Sequence, residues 1–167
     1  MVQVRVLGIA LDAARQHIVL LKPLLEEEGV EQRVLPIWIG QQEATSILIA
    51  LSGEEAPRPL SHDLMKLLLE TLDTQVVRVE VTRIEEGTFY AEITLTGPSG
   101  GYVIDARPSD AVALAVRVEA PIWVADEVLD EAGIPAEMVD FDHEDEEEKL
   151  DEFKRFLEDV DPEDFQG

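Results

Sequence analysis

The stretch Asp105-Ala106-Arg107-Pro108-Ser109-Asp110 marks the point where a strand gives way to a helix. The residues before it, Tyr102 to Ile104, are strand-like, and the apolar run that follows, Ala111 to Val118, is helical in character. Pro108 disfavours helical geometry at Arg107, so the break between the two elements falls inside the stretch. Three charged side chains are therefore predicted at a strand-to-helix junction, where binding and catalytic residues often lie.

A partial echo of this stretch stands upstream, at Arg58-Pro59-Leu60-Ser61-His62-Asp63. Together the two boxes hold three carboxylates that can bind Mg²⁺ or Mn²⁺, two arginines that can bind phosphate, and one histidine that can move a proton near neutral pH. These candidates are Asp63, Asp105, Asp110, Arg58, Arg107 and His62, and Arg117 is a third candidate for phosphate binding. Metal-assisted hydrolysis of a phosphodiester uses these residue types.

The same residues also have a structural interpretation. Ser61 and Ser109 can cap helices, and carboxylates in the first turn favour the helix dipole. Arginine and aspartate side chains of the two boxes can pair with each other, Arg107 with Asp63 or Asp105, and Arg58 with Asp110. Both interpretations stay open for Asp63, Asp110 and Glu43, and equally for Asp105, Arg107 and His62.

Charge is the most unusual property of the composition. The chain carries 37 acidic and 13 basic residues, a net charge of −24. Residues 126–167 contain 19 acidic and 3 basic residues, so the acidity is concentrated in the C-terminal part. At long range the molecule should repel nucleic acid, although the arginines can still form a local basic site. Acid excess with few lysines also fits a protein of a salty cytoplasm.

Several classes of site and of protein are excluded or disfavoured by composition and motif. With no cysteine, disulfides and thiolate metal sites are excluded, and a zinc site is not expected because the three histidines are far apart in sequence. A phosphate-binding glycine loop, a Gly-x-Ser-x-Gly elbow and a His-Glu-x-x-His motif are all missing from the sequence. The N-terminus does not resemble a signal peptide, and the expected location is the cytoplasm, without a membrane partner.

The order of apolar patterns predicts an α+β fold in a single domain, with a mainly antiparallel mixed sheet and about three helices. Strands are predicted at residues 2–11, 16–22, 33–39, 76–84, 88–96, 102–105 and 121–125, and the main helices at 41–51, 61–72 and 110–118. Pro36 indicates a sheet edge or a bulge. The helix over 61–72 is expected to bury Leu64, Leu67, Leu68 and Leu72.

The C-terminal part is predicted to differ from the rest of the chain. We place the domain boundary between residues 132 and 133, with an acidic tail over 133–167. Within that tail, Leu150, Phe153, Phe156 and Leu157 form an apolar stripe at helical spacing. This acidic amphipathic helix can dock on the body, dock on a second subunit, or stay solvated.

Three ordered motifs resemble the bifunctional nuclease domain family. They are Leu35-Pro36-Ile37-Trp38-Ile39-Gly40 with Glu43-Ala44, Pro57-Arg58-Pro59-Leu60-Ser61-His62-Asp63-Leu64, and Asp105-Ala106-Arg107-Pro108-Ser109-Asp110-Ala111 with Arg117 and Pro121-Ile122. The resemblance spans about residues 2 to 130. It implies a compact α+β domain, often dimeric, and a nuclease that acts on RNA and DNA.

Carried over residue by residue, the resemblance points to His62, Asp63, Asp105, Arg107 and Asp110. In the resulting hypothesis the three aspartates hold a Mg²⁺ or Mn²⁺ ion, the arginines bind substrate phosphate, and His62 acts as general acid or base. The alternative is a non-enzymatic, dimeric interaction or regulatory module in which both boxes are structural. Nucleic acid and a second copy of the chain are the expected partners.

Overall fold

An eight-stranded mixed sheet runs through residues 1–139, the part of the chain that the computed structural model describes. The strands are β1 (Val2–Leu11), β2 (His17–Pro23), β3 (Arg33–Ile39), β4 (Gln75–Glu85), β5 (Thr88–Gly97), β6 (Gly100–Ala106), β7 (Ile122–Val124) and β8 (Ile134–Pro135). Their order is β6-β5-β4-β7-β1-β2-β3-β8. Within these residues only β4 and β7 pair in parallel, which confirms the predicted mainly antiparallel sheet.

Local sequence explains how the strands β4, β5 and β6 form an antiparallel meander. Glu86 and Gly87 both adopt positive φ, 49° and 78°, the geometry of the tight turn that joins twisted antiparallel strands. Alternate residues of β4, such as Val79 and Val81, are buried in the core. Pro36 of β3 lies where the outer side of that strand is unpaired, because β8 pairs only with Arg33 and Val34, and the predicted edge is confirmed.

Four helices accompany the sheet in the described part of the chain: α1 (Gln41–Ser52), α2 (Ser61–Thr71), α3 (Pro108–Val118) and α4 (Asp126–Ala132), followed by a 3-10 turn at Ala136–Met138. Helix α3 is central, since it contacts α1, α2, β4 and β5. Its buried face is rich in alanine, including Ala111, Ala113 and Ala115, and such small side chains let neighbouring elements approach closely. The core therefore lies between α1, α3 and one face of the sheet.

Neither serine is the N-cap of its box helix, and α3 begins two residues earlier than predicted. Leu60 is the N-cap of α2 and Arg107 that of α3, and neither side chain makes a capping hydrogen bond. In α2 the carboxylate of Asp63 accepts a hydrogen bond from the Leu60 N–H at 2.9 Å instead. In α3 the first helical residue is Pro108, which has no N–H to satisfy. The predicted caps at Ser61 and Ser109 are therefore wrong.

The predicted buried face of α2 is also wrong. Leu64, Leu67, Leu68 and Leu72 are 45–66% exposed. The reason is that α2 packs on α3 through the side that carries His62, its one buried residue, so the leucine stripe points outward. The result is an exposed apolar surface on α2.

The segment Ile134–Pro135 pairs with β3, so the described fold continues past residue 132. The predicted amphipathic helix with Leu150, Phe153, Phe156 and Leu157 lies outside the described residues. None of the helices within residues 1–139 combines the length and the apolar character that crossing a membrane requires.

Candidate functional site

His62 lies at the centre of a hydrogen-bonded cluster contributed by three helices. Its Nδ1 is 2.6 Å from the Oγ of Ser46 on α1, and its Nε2 is 2.8 Å from Oδ1 of Asp110 on α3. His62 and Ser46 are buried, with 6% and 5% of their surface exposed. The imidazole is thus fixed on both sides, and the two boxes meet in space.

Arg107 extends this cluster to the surface. Its Nε donates to Oδ2 of Asp110 at 2.8 Å, and one terminal nitrogen donates to Oε1 of Glu43 at 2.9 Å. The Arg107 side chain is nevertheless 66% exposed, whereas Asp110 and Glu43 are mostly covered. We call Glu43, Ser46, His62, Arg107 and Asp110 the Asp110 cluster. It presents one exposed guanidinium above two carboxylates and a buried histidine.

Electrostatics keep Asp110 ionised. Partial burial alone would raise the pKa of Asp110, but the hydrogen bonds and charges of Arg107 and His62 outweigh burial and lower it below the ordinary 3.8. The hydrogen bonds to Asp110 and then Glu43 raise the pKa of Arg107. Ionised Asp110 therefore stabilises the fold above pH 3.8, and this contribution is lost as the pH falls through the lowered pKa.

A second pair, Asp63 and Arg117, forms a framework behind the cluster. Arg117 donates to Oδ1 of Asp63 at 2.8 Å and to the carbonyl oxygens of Ser46 and Ala113 at 3.0 and 2.9 Å. Only 5% of its side chain is exposed, so no face of the guanidinium is open to a phosphate. We assign Asp63 and Arg117 to holding α1, α2 and α3 together.

Asp105 points away from the Asp110 cluster. It pairs across the sheet with Glu92, and the next residue, Ala106, pairs with Ala91, which is buried on the side of α3. Successive strand residues face opposite sides of a sheet, so Asp105 lies on the face remote from α3. Consistent with this, Glu85 and, more weakly, Asp105 raise the pKa of Arg83 on that remote face.

Arg58 takes no part in the cluster's hydrogen bonds. It lies exposed in the loop before α2, and residues 1–139 offer its side chain no hydrogen bond or ion pair. Of the pairings considered from sequence, neither Arg58 with Asp110 nor Arg107 with Asp63 or Asp105 forms. Arg107 pairs with Asp110 and Glu43 instead, because the start of α3 lies against α1.

The donor set does not fit one metal ion shared by Asp63, Asp105 and Asp110. Asp105 lies on the remote face, and both oxygens of Asp63 accept hydrogen bonds, from Arg117 and from the Leu60 N–H. Among the residues that the structure describes, no group of three or more His, Asp or Glu side chains is placed to hold a metal. Use of Mg²⁺ or Mn²⁺ stays a prediction.

Sequence reasoning missed Ser46 and undervalued Glu43. The two residues are three positions apart on α1, so they share a helix face. A serine buried on an apolar face is a signal in itself, because it needs a partner. Gly40, the N-cap of α1, makes room for Glu43, since a Cβ there would collide with its carboxylate.

Comparison with known proteins matches both boxes. A profile of the bifunctional nuclease domain matches residues 23–137. An uncharacterized protein of Mycobacterium tuberculosis is 40% identical over 171 residues, which cover 99% of this chain and 98% of that protein. Bifunctional nuclease 1 of Oryza sativa subsp. japonica is 28% identical over 116 residues, 68% of this chain and 34% of the plant protein. Bifunctional nuclease 2 of Arabidopsis thaliana is 30% identical over 104 residues, 60% of this chain and 32% of the plant protein.

Proposed function

The chain belongs to the bifunctional nuclease domain family, and from this premise we propose that it hydrolyses phosphodiester bonds in RNA and DNA. The observation that carries the proposal is the Asp110 cluster, where an exposed arginine lies directly beside an ionised, partly exposed aspartate. Phosphodiester hydrolysis needs a cation to bind the phosphate and a base to take a proton from the nucleophile. Arg107 is the proposed cation and Asp110 the proposed base, and the two side chains are hydrogen-bonded to each other.

Water is the nucleophile in this proposal, because DNA lacks the 2′-hydroxyl that could attack in RNA. The water oxygen forms a bond to phosphorus, and its proton passes to the carboxylate of Asp110. The bond from phosphorus to the leaving oxygen breaks, a solvent water gives that oxygen a proton, and Asp110 releases the proton it accepted to solvent. Each oxygen of Asp110 keeps a second lone pair for this task, since an ionised carboxylate accepts about four hydrogen bonds.

Arg107 is the proposed phosphate contact. Its Nε and one terminal nitrogen are bound to Asp110 and Glu43, and its second terminal nitrogen makes no hydrogen bond within residues 1–139. Arg58, exposed in the loop before α2, is the proposed second contact along the backbone. A protein of net charge −24 needs such local cations to bind nucleic acid, so binding should weaken as salt screens them.

Replacing Arg107 by alanine tests this proposal. We expect cleavage of single-stranded RNA and DNA to fall about 100-fold, because one charged donor to the reacting phosphate is lost. Rates are measured with Mg²⁺, with Mn²⁺ and with a chelator, which also tests the predicted metal requirement. Arg83→Ala is the matched control, since Arg83 is exposed on the remote face of the sheet. Equal rates for Arg107→Ala and Arg83→Ala would overturn the assignment of Arg107.

We further propose that the protein acts as a homodimer that uses the exposed apolar surface of α2. Leu64, Leu68 and Leu72 recur at intervals of four along one stripe and are 51%, 53% and 66% exposed. An apolar helix stripe with this spacing is complementary to a second copy of itself across a two-fold axis. Covering it would remove apolar area from water, which stabilises association.

Sedimentation of wild type and Leu68→Glu checks the dimer. We expect the wild type to sediment as a dimer and Leu68→Glu as a monomer, because the variant places two like charges opposite each other in the contact. Leu25→Glu, at an exposed loop position, carries the same charge change and should remain dimeric. A monomeric wild type, or a dimeric Leu68→Glu, would contradict this interface.

The exposed surface of α2 also supports the second candidate function, a non-enzymatic interaction or regulatory module. In that case the Asp110 cluster only holds α1, α2 and α3 together. The two functions differ in one result, because the module would bind its partner and leave RNA and DNA intact. Variants of the cluster would then change stability alone.

A further inference from the structure

We infer that Ser46 is a positioning residue whose hydroxyl holds the proton of neutral His62 on Nε2, facing Asp110. This inference deepens the proposed nuclease site and rests on it for the activity readout alone. It begins from the observation that both ring nitrogens of His62 have one partner each, Ser46 at 2.6 Å and Asp110 at 2.8 Å. Which nitrogen carries the proton follows from the nature of the two partners.

Asp110 can only accept a hydrogen bond while it is ionised; burial alone would raise its pKa, but the hydrogen bonds from Arg107 and His62 and the charge of Arg107 lower it. Nε2 must therefore be the protonated nitrogen of the neutral ring, since a bare Nε2 would face a carboxylate. Nδ1 is then a lone-pair acceptor, and the Ser46 hydroxyl must donate to it. With the opposite tautomer, the short distance to Asp110 would be repulsive.

Ser46 itself does not contact substrate. It lies within α1 with 5% of its surface exposed, so its oxygen cannot reach a phosphate and the arrangement is not a serine nucleophile. The Ser46 hydroxyl can either donate or accept a hydrogen bond. When His62 is protonated, both ring nitrogens donate, and the same oxygen accepts from Nδ1. No buried side-chain nitrogen or oxygen among the described residues lacks a hydrogen-bond partner. The Ser46 hydroxyl keeps Nδ1 of His62 hydrogen-bonded whether the ring is neutral or protonated.

A fixed imidazole in turn fixes Asp110. His62 binds Oδ1 and Arg107 binds Oδ2, so rotation of the carboxylate would break one of the two bonds. Loss of Ser46 would release the ring, and with it the orientation of the base. The other charged groups of the cluster and framework are Glu43 on α1, which binds Arg107, and Asp63 on α2, which Arg117 neutralises.

Long-range ¹H–¹⁵N spectra of the full chain test the inference directly. The chain has three histidines, and His62→Gln identifies the signals of His62. In the wild-type protein we expect the neutral His62 ring to have a protonated Nε2 and an unprotonated Nδ1 whose ¹⁵N shift shows a hydrogen bond. Ser46→Ala should move the Nδ1 signal and lower the cleavage rate about tenfold, the effect of one lost hydrogen bond. Ser46→Thr, which retains the hydroxyl, should restore both.

Two results would overturn the inference: a neutral His62 protonated on Nδ1, or a Ser46→Ala protein whose Nδ1 shift and pH profile of cleavage match the wild type. Thermal unfolding of each variant confirms that the folded state is observed. If the wild type cleaves neither RNA nor DNA, the proposed nuclease fails, and the ring spectra still decide the role of Ser46.

Discussion

Replacing Arg117 by alanine is expected to lower the free energy of unfolding by about 3 kcal/mol, the lower end of the range for breaking a buried ion pair from one side, because the partner Asp63 is 34% exposed. Arg117 is 5% exposed and donates to Asp63 on α2, to the carbonyl of Ser46 on α1 and to the carbonyl of Ala113 on its own helix. Its removal takes one donor from each of these acceptors and cuts the side-chain link among the three helices. Urea denaturation measures the loss as a lower midpoint at an unchanged slope.

Lysine should not rescue this site. A single ammonium cannot reproduce the forked arrangement of the guanidinium, so Arg117→Lys is expected to remain well below wild type. Arg83→Ala is the control, because Arg83 and its partner Glu85 are both exposed, and such exposed pairs contribute little to stability. If Arg117→Ala were no less stable than Arg83→Ala, the framework role of Arg117 would be wrong.

His62→Ala is expected to lower the free energy of unfolding by about 2 to 4 kcal/mol, from a cavity and from unpaired buried polar groups. The change removes the side chain that joins Ser46 to Asp110. Cleavage should fall as well, since Asp110 loses one of its two orienting contacts. Chemical denaturation and cleavage assays on the same preparation measure both effects.

Lys66→Ala serves as the control for His62→Ala. Lys66 lies on the same helix, is 40% exposed and pairs only loosely with Glu70, at 3.9 Å. Its replacement should change stability little. A His62→Ala protein as stable as Lys66→Ala would show that the buried cluster does not support the fold.

Much of the fold follows from local sequence. Apolar alternation located β4 and β5, because this signal acts between neighbouring residues. Gly53 follows α1 and ends it at a φ of 71°, a backbone conformation that glycine adopts readily. Pro36 indicated an edge because a proline cannot donate to a strand on that side.

The orientation of α2 did not follow from local sequence. Its leucine stripe and its His62 side are both plausible buried faces when the helix is considered alone. The choice depends on Asp110 and Ser46, which lie 48 and 16 residues away and bind the histidine. Polar partners distant in sequence thus decided which face of an amphipathic helix is buried.

The candidate site was predicted in outline and corrected in detail. Sequence identified both boxes, and the structure joins them through His62 and Asp110. Asp105 was grouped with Asp110 because the two are close in the chain, but strand alternation turns Asp105 to the remote face. Arg107 and Arg117 looked alike as phosphate ligands, and only the packing of α3 separates the exposed arginine from the buried one.

In the proposed nuclease, Asp110 and not Asp105 belongs to the site that cleaves nucleic acid. The direct test compares cleavage of single-stranded RNA and DNA by wild type, Asp110→Asn and Asp105→Asn, each shown by denaturation to be folded and assayed with Mg²⁺, Mn²⁺ or a chelator. We predict that wild type cleaves, that Asp110→Asn is slower by about 100-fold or more, and that Asp105→Asn matches wild type. A wild type without activity, or an Asp110→Asn protein as active as Asp105→Asn, would contradict the claim.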